Sequence, residues 1–421
     1  MNTKNKLHSD REKPVSSSAE TQPDAEKNVW EYVPFENFRL PSVPAASAAA
    51  GMWNSFRRIV KAGKEEEIFS ESANDLYALP SRLEKFVLPQ IDSEDAVKAL
   101  DSALSLWLDS PDNDNSVVYI AGQPYSRNDE IVRMWGESHN AELIEPPDYD
   151  EILSGSENLP GNFPESGRLW VLPNLEKFFL RHENGLKKIR KLLEAANSGK
   201  LGKGVIGCQS FAWSYLQLVF RFSKKNVLTL QAFDNVKFAA LLSKGVRSSK
   251  YTRFKFLNMV NGKKITGISA EKEIPDPFFT RLAAYCRGNI RQQVDLWKDR
   301  LRLENVNLKI DEKEISAQGE ESGVNETVIW VSPEIPEPVL PSQMDDDLVI
   351  ILHILMLHDG LPEYILYKIL PFSEPRCRSG LSFLAGSGLV KNCEGIFFVS
   401  ETAFFAVRKM LFGRDYLVDK L

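Results

Sequence analysis

The stretch Ser116-Val-Val-Tyr-Ile-Ala-Gly-Gln-Pro-Tyr-Ser-Arg-Asn-Asp129 constrains this chain more than any other. β-Branched residues at 117–120 predict a strand, Gly122 predicts a turn, and an amphipathic run from about Asp129 predicts a helix. Strand, glycine loop and helix in that order form the frame of a phosphate-binding loop, G-x-x-x-x-G-K-[ST]. Laid on that pattern, Gly122 takes the first glycine and Ser126 the last variable position. Arg127 then stands for the second glycine, Asn128 for the lysine and Asp129 for the hydroxyl residue. The lysine normally brings positive charge to the phosphates and the hydroxyl coordinates Mg²⁺. Asn128 brings no charge, and Asp129 repels phosphate unless a metal intervenes. The slot has the frame of a nucleotide site without its contacts.

Alternation continues after this loop. The pattern predicts a helix at 129–138 and strands at 141–145, 168–172, 204–208 and 226–231. Helices are expected at 175–196, 211–221 and 234–243, and one helical pattern covers 79–108 ahead of the first strand. Strands alternating with helices imply an α/β fold, a three-layer parallel sheet over 79–245. A helical lid is expected at 246–302 and an acidic, Pro-containing linker with one strand at 303–344. From 345 to 421 the pattern is three helices, a hairpin turning at Cys393-Glu-Gly395, and a last helix, which describes a winged helix. Residues 1–40 read as a disordered tail and 41–78 as a linker. Within them, the aromatics of 30–38 suggest a docking segment, and 45–61 can form a short amphipathic helix.

Order and pattern over about 79–421 resemble the AAA+/STAND class of P-loop ATPases with a C-terminal winged helix. In that class the third strand runs into Asp-Glu, which holds Mg²⁺ and polarises water; here Leu169-Trp-Val-Leu172 is followed by Pro173 and Asn174. Glu176 is the next acid, two residues further on, where it is expected to point elsewhere. The resemblance implies a polar sensor after the fourth strand, where Gln209 and Ser210 stand, although Ser210 also suits a helix N-cap. It implies a Gly-x-x-Arg lid signature, matched by Gly288-Asn-Ile-Arg291. Without the lysine and the acidic pair, phosphoryl transfer loses its positioning and charge neutralisation. The expectation is a pseudo-ATPase: a regulatory or scaffold protein acting through protein partners, with no required cofactor. ATP or ADP binding without catalysis stays open through backbone amides near Gly122. A nucleotide-dependent switch or weak ATPase is the competing reading.

Charge is uneven. Residues 181–264 carry eighteen Lys and Arg against three acids, a net of +15 that leaves −21 for the rest of the chain. Lys187, Lys188, Arg190 and Lys191, with Lys250, Arg253 and Lys255, are the candidate contacts for a polyanion, whether nucleic acid or an anionic membrane surface. The acidic flanks of the chain are an equally simple counterpart. The winged-helix region has a net charge of −2, which speaks against a groove-reading role. His353 and His358, five apart, are not expected to share a helix face, and 181–185 (RHENG) holds the ingredients of a polar site. Cys208, Cys286, Cys377 and Cys393 are widely spaced and form no metal or disulfide pattern, so the cytoplasm is the expected compartment. No stretch of the sequence is apolar enough for a transmembrane helix. Oligomerisation is left open.

Overall fold

The computed structural model describes residues 29–43, 76–110, 116–156, 158–159, 163, 168–220, 226–246, 252–268, 274–305, 325–335 and 338–421. The expected tail at 1–28, the amphipathic segment 45–61 and Lys250 lie outside these residues.

The strands, in chain order, are β1 (Tyr32–Pro34), β2 (Leu76–Ala78), β3 (Val117–Gly122), β4 (Glu142–Leu143), β5 (Trp170–Leu172), β6 (Gly204–Gln209) and β7 (Val227–Leu230). They continue with β8 (Thr252–Asn258), β9 (Leu301–Glu304), β10 (Asn325–Val331), β11 (Leu361–Pro362), β12 (Val390–Cys393) and β13 (Ile396–Val399). The first helices are α1 (Ser81–Val87), α2 (Ser93–Asp109), α3 (Asn128–Ser138), α4 (Tyr149–Leu153), α5 (Lys187–Asn197), α6 (Ser210–Val219) and α7 (Asn235–Gly245). Then come α8 (Pro277–Tyr285), α9 (Ile290–Arg300), α10 (Asp346–Leu357), α11 (Glu363–Ile369), α12 (Glu374–Gly386) and α13 (Phe404–Gly413).

The molecule is α/β, built on a six-stranded sheet of order β1-β7-β3-β6-β5-β4. Alternation along β3 sends Val117, Tyr119 and Ala121 into one hydrophobic cluster and Val118 and Ile120 into another. The sheet is thus covered on both faces, as strands with continuous apolar runs require. Helices α5, α6 and α10–α13 share the first cluster; α1–α3, α7–α9 and a second sheet share the other.

Five expectations are corrected. The sheet is mixed rather than parallel, because β1 adds antiparallel to β7. That strand comes from the segment read as disordered tail, where Trp30 is 5% exposed and meets the Phe233 ring edge-on at 4.9 Å. Its aromatic docking segment therefore docks on its own chain. The helical pattern of 79–108 breaks into α1 and α2 around Pro89, which cannot continue a helix.

The expected helix 175–196 is a 3₁₀ turn at Leu175–Lys177, an irregular run, a second 3₁₀ turn and then α5. Phe178, Phe179 and Leu180 are all fully buried, and three consecutive residues cannot share one helix face. The expected lid and linker share a four-stranded sheet, β2-β9-β10-β8, in which β8 and β10 pair in parallel over seven positions. Phe254 and Phe256 of β8 are buried in its core, so the segment's alternating aromatics are strand rather than lid. Among the described residues no helix is long and apolar enough to cross a membrane.

The last 77 residues place a three-stranded sheet, β11-β13-β12, beside α10–α13. Their apolar side chains are continuous with the first cluster, so this region is packed onto the six-stranded sheet's face rather than tethered beside it.

Candidate functional site: the loop after β3 and its cavity

Gly122 ends β3 at a close approach: a Cβ there would lie 2.4 Å from Cβ of Asn128. Asn128, at the position of the lysine, folds back so that its Nδ2 donates to Ile120 O at 3.0 Å. It closes the loop onto the strand instead of reaching outward. Tyr125 and Arg127 are left-handed, at φ 61° and 55°, a conformation that side chains adopt at some cost. Contacts from three directions hold it there. Ser126 Oγ donates to Gln123 O at 2.6 Å within the loop. From the α8–α9 turn, Asn289 Nδ2 donates to Pro124 O at 2.8 Å, and Gln123 Nε2 donates to Arg287 O at 3.0 Å. From the C-terminal region, Val399 O accepts from Tyr125 OH at 2.5 Å, and Phe404 meets the Tyr125 ring edge-on.

The N-terminus of α3 is also served internally. Asp129 and Glu130 occupy its first turn, where carboxylates answer the helix dipole. Arg127 pairs with Glu130 at 3.2 Å, and Ser93 Oγ donates to the same carboxylate at 2.9 Å.

Beside the loop lies a cavity of about 500 Å³. Its core wall includes Arg127, Asn128, Asp129, Glu176, Gln209 and Arg291; its C-terminal wall includes Asp359, Lys391, Phe398 and Glu401. Arg291 lines this cavity half-buried, its guanidinium pKa lowered by burial and by Arg127. Pro173, Asn174 and Ser210 are not among the lining residues. Glu176 corrects the expectation that it points away. The 3₁₀ turn at Leu175–Lys177 swings it to the cavity, where Oε2 accepts from Gln209 N at 2.9 Å. Burial, then the charge of Asp359, push its carboxyl up to about 8. Burial also raises Asp359, which is half-exposed at its surface yet deep among packed groups.

Around the cavity five carboxylates (Asp129, Glu176, Asp295, Asp359, Glu401) face three cations (Arg127, Arg291, Lys391). Lys391 is engaged by Glu401 at 2.8 Å, as Arg127 is by Glu130. With Glu176 held protonated by burial, four acidic side chains remain against these three cations, two of which are already paired.

Ser210 is neither sensor nor cap. It is the first residue of α6, and its Oγ donates to Asp419 Oδ2 at 2.6 Å, both groups being buried. Asp419 also accepts from Arg408 Nε at 2.7 Å. This anchors residues 408–419 to the carboxyl end of the central strand β6. Lys177 Nζ donates to the carbonyls of His358 and Asp359 at 2.8 and 2.6 Å, capping α10. Arg181 joins both histidines: its backbone N–H donates to His358 Nε2 at 3.2 Å, and its Nη1 lies 3.3 Å from His353 Nδ1. The two do not share a helix face, His358 being the C-cap beyond the helix, and Arg181 bridges them with its backbone and its side chain. Burial lowers His353 to about 4 and His358 to about 3, so both are neutral at pH 7. Of the five residues 181–185, Arg181 is thus a docking contact for the C-terminal region.

The polyanion candidates are dispersed. Lys188 is corrected outright, being buried with Nζ 2.5 Å from Glu151 Oε1. Lys187, Arg190 and Lys191 are exposed on α5, over one sheet face. Arg253 and Lys255 lie on β8, over the other, with Lys255 3.5 Å from Glu326 of the acidic segment. No single patch of described residues combines the two groups.

No protein-family model matches the chain, and comparison with curated proteins finds no match.

Proposed function

We propose that this chain is a non-enzymatic regulatory or scaffold protein with an AAA+-like, pseudo-ATPase core and a C-terminal winged helix, acting through protein partners. One observation carries the reading: the loop after β3 is saturated by its own protein. Asn128 bonds Ile120 O, Asn289 bonds Pro124 O, and Tyr125 bonds Val399 O. The side chain at the lysine position is spent on its own strand, and Tyr125 is spent on holding the C-terminal region through Val399.

Topology supports a P-loop-like core. In chain order the five parallel strands run fifth, first, fourth, third, second, with the loop strand β3 between β7 and β6. The crevice at the carboxyl ends of such strands, where the order switches, is where α/β sheets hold ligands. Here that crevice is the acidic cavity. Three helices with a short three-stranded sheet at 345–421 support the winged-helix reading. Arg376 and Arg378, the basic residues of α12, pair with Asp345, Asp347 and Glu363. With those charges engaged, a protein partner suits this region better than a phosphate backbone.

Titrating purified protein with ATP and ADP, with and without Mg²⁺, is expected to give no saturable heat, and Mg²⁺-ATP turnover is expected to stay at background. Turnover that disappears in Arg291→Ala would overturn the proposal in favour of the nucleotide-switch reading.

A further inference from the structure

The cavity beside the loop has the chemistry of a cation site, a conclusion that rests on the nucleotide-free reading above. Its carboxylates fall into two groups. Asp129 acts electrostatically on Asp359, and Asp359 on Glu176; Asp295 and Glu401 interact in the same way. Lys177, which acts electrostatically on Asp359 and Glu176, donates its ammonium hydrogens to backbone carbonyls. Gln209, 7% exposed on the same wall, has Nε2 3.3 Å from Asp359 Oδ1, while its buried Oε1 has no hydrogen-bond partner. An orphaned buried acceptor is destabilising, and an entering N–H donor would relieve it. Among the described residues no three His, Cys, Asp or Glu converge as metal ligands, so separated N–H donors match the acceptors better than one compact ion. Ile91, Tyr125 and Phe398 add apolar and aromatic wall, suited to methylenes and to an ammonium over a ring face.

We infer that the cavity binds a linear aliphatic polyamine. One ammonium is held by Asp129, Asp359 and Gln209 Oε1, and another is directed to Asp295 and Glu401. Because Asp359 and Glu401 belong to the C-terminal region, Asp129 to α3 and Gln209 to the end of β6, such a ligand tightens the docking of that region on the six-stranded sheet.

The test is calorimetry and thermal unfolding of the full chain with spermidine, putrescine and propylamine at matched ionic strength, with Mg²⁺ and ATP alongside. Spermidine is expected to bind saturably and raise Tm, with propylamine about tenfold weaker or more for its missing charge-assisted bonds. Asp129→Asn changes an exposed helix turn, and Asp359→Asn keeps a residue type that tolerates φ 50°, so both variants should fold. Each is expected to weaken spermidine about tenfold. No saturable spermidine binding, equal binding of propylamine, or unchanged binding by both variants would overturn the inference. A protein silent to both spermidine and ATP removes this inference and leaves the proposed function standing; saturable Mg²⁺-ATP binding removes the latter.

Discussion

Stability is expected to peak at about pH 6 and to decline on both sides. His353 and His358 are held near 4 and 3 by burial, below the ordinary 6.5. Between those values the unfolded chain binds protons that the folded chain refuses, so stability is lost as pH falls below 6.5. Glu176 works oppositely. Its carboxyl titrates at about 8 when folded and 4.5 otherwise, so the stability it contributes is complete below 4.5 and is lost as pH rises through 8. Asp359, also raised by burial, acts in the same direction as Glu176.

With two histidines opposed by Glu176 and Asp359, the acid limb should fall more gently than the about 2.7 kcal/mol per pH unit that two unopposed protons would give. Urea midpoints at several pH values would record the curve. Glu176→Gln keeps an acceptor for Gln209 N and should raise stability at pH 8 by on the order of 2–4 kcal/mol, removing the alkaline limb. His358→Gln should flatten the acid limb. A profile unchanged by either substitution would contradict the burial of these groups.

The second large effect is expected from Asp419→Ala. Asp419 is 3% exposed and accepts from Ser210 Oγ and Arg408 Nε. Truncation leaves the Arg408 guanidinium, whose side chain is only 13% exposed, without its counter-ion. Removing one partner of a buried pair costs about 3–5 kcal/mol, more than the pair itself contributes. Ser210→Ala should cost only about 1 kcal/mol, the worth of one hydrogen bond. Replacing Arg408 by Met together with Asp419→Ala should recover much of the loss, since no bare charge remains. Hydrogen exchange should show protection of α13 and residues 414–421 falling first. A loss below about 1 kcal/mol would mean that this anchor does not hold the C-terminal region.

Much of the α/β pattern could be read along the chain, because periodicity and turn residues act locally. The strand at β3, the glycine that ends it and the helix α3 follow from spacing within about fourteen residues. So do β6 with α6, and the hairpin of β12 and β13 turning at Glu394 and Gly395. The absence of lysine at Asn128 and of acids at Pro173 and Asn174 was equally plain.

Long-range partners were not. Glu176 reached the cavity because three consecutive buried residues, Phe178–Phe179–Leu180, forced 3₁₀ geometry where a helix was expected, which re-aimed the side chain. Asp359 had one local signal, an Asp-Gly step after an apolar helix, typical of a left-handed C-cap. Nothing near Tyr125, Lys177 or Asp419 announces their partners, which lie 274, 181 and 209 residues away. The basic block read as one feature because its charges are adjacent in sequence; the sheet then placed α5 and β8 on opposite faces.

Sequence alone determined the strand, glycine and helix of β3 and α3 and the absence of a lysine from the loop between them, since both depend on neighbours a few residues apart. Tertiary structure alone decided what fills that loop, which carboxylates share its cavity and which cations remain exposed. Those outcomes depend on which distant segments the hydrophobic faces bring together, and burial then sets the charge states.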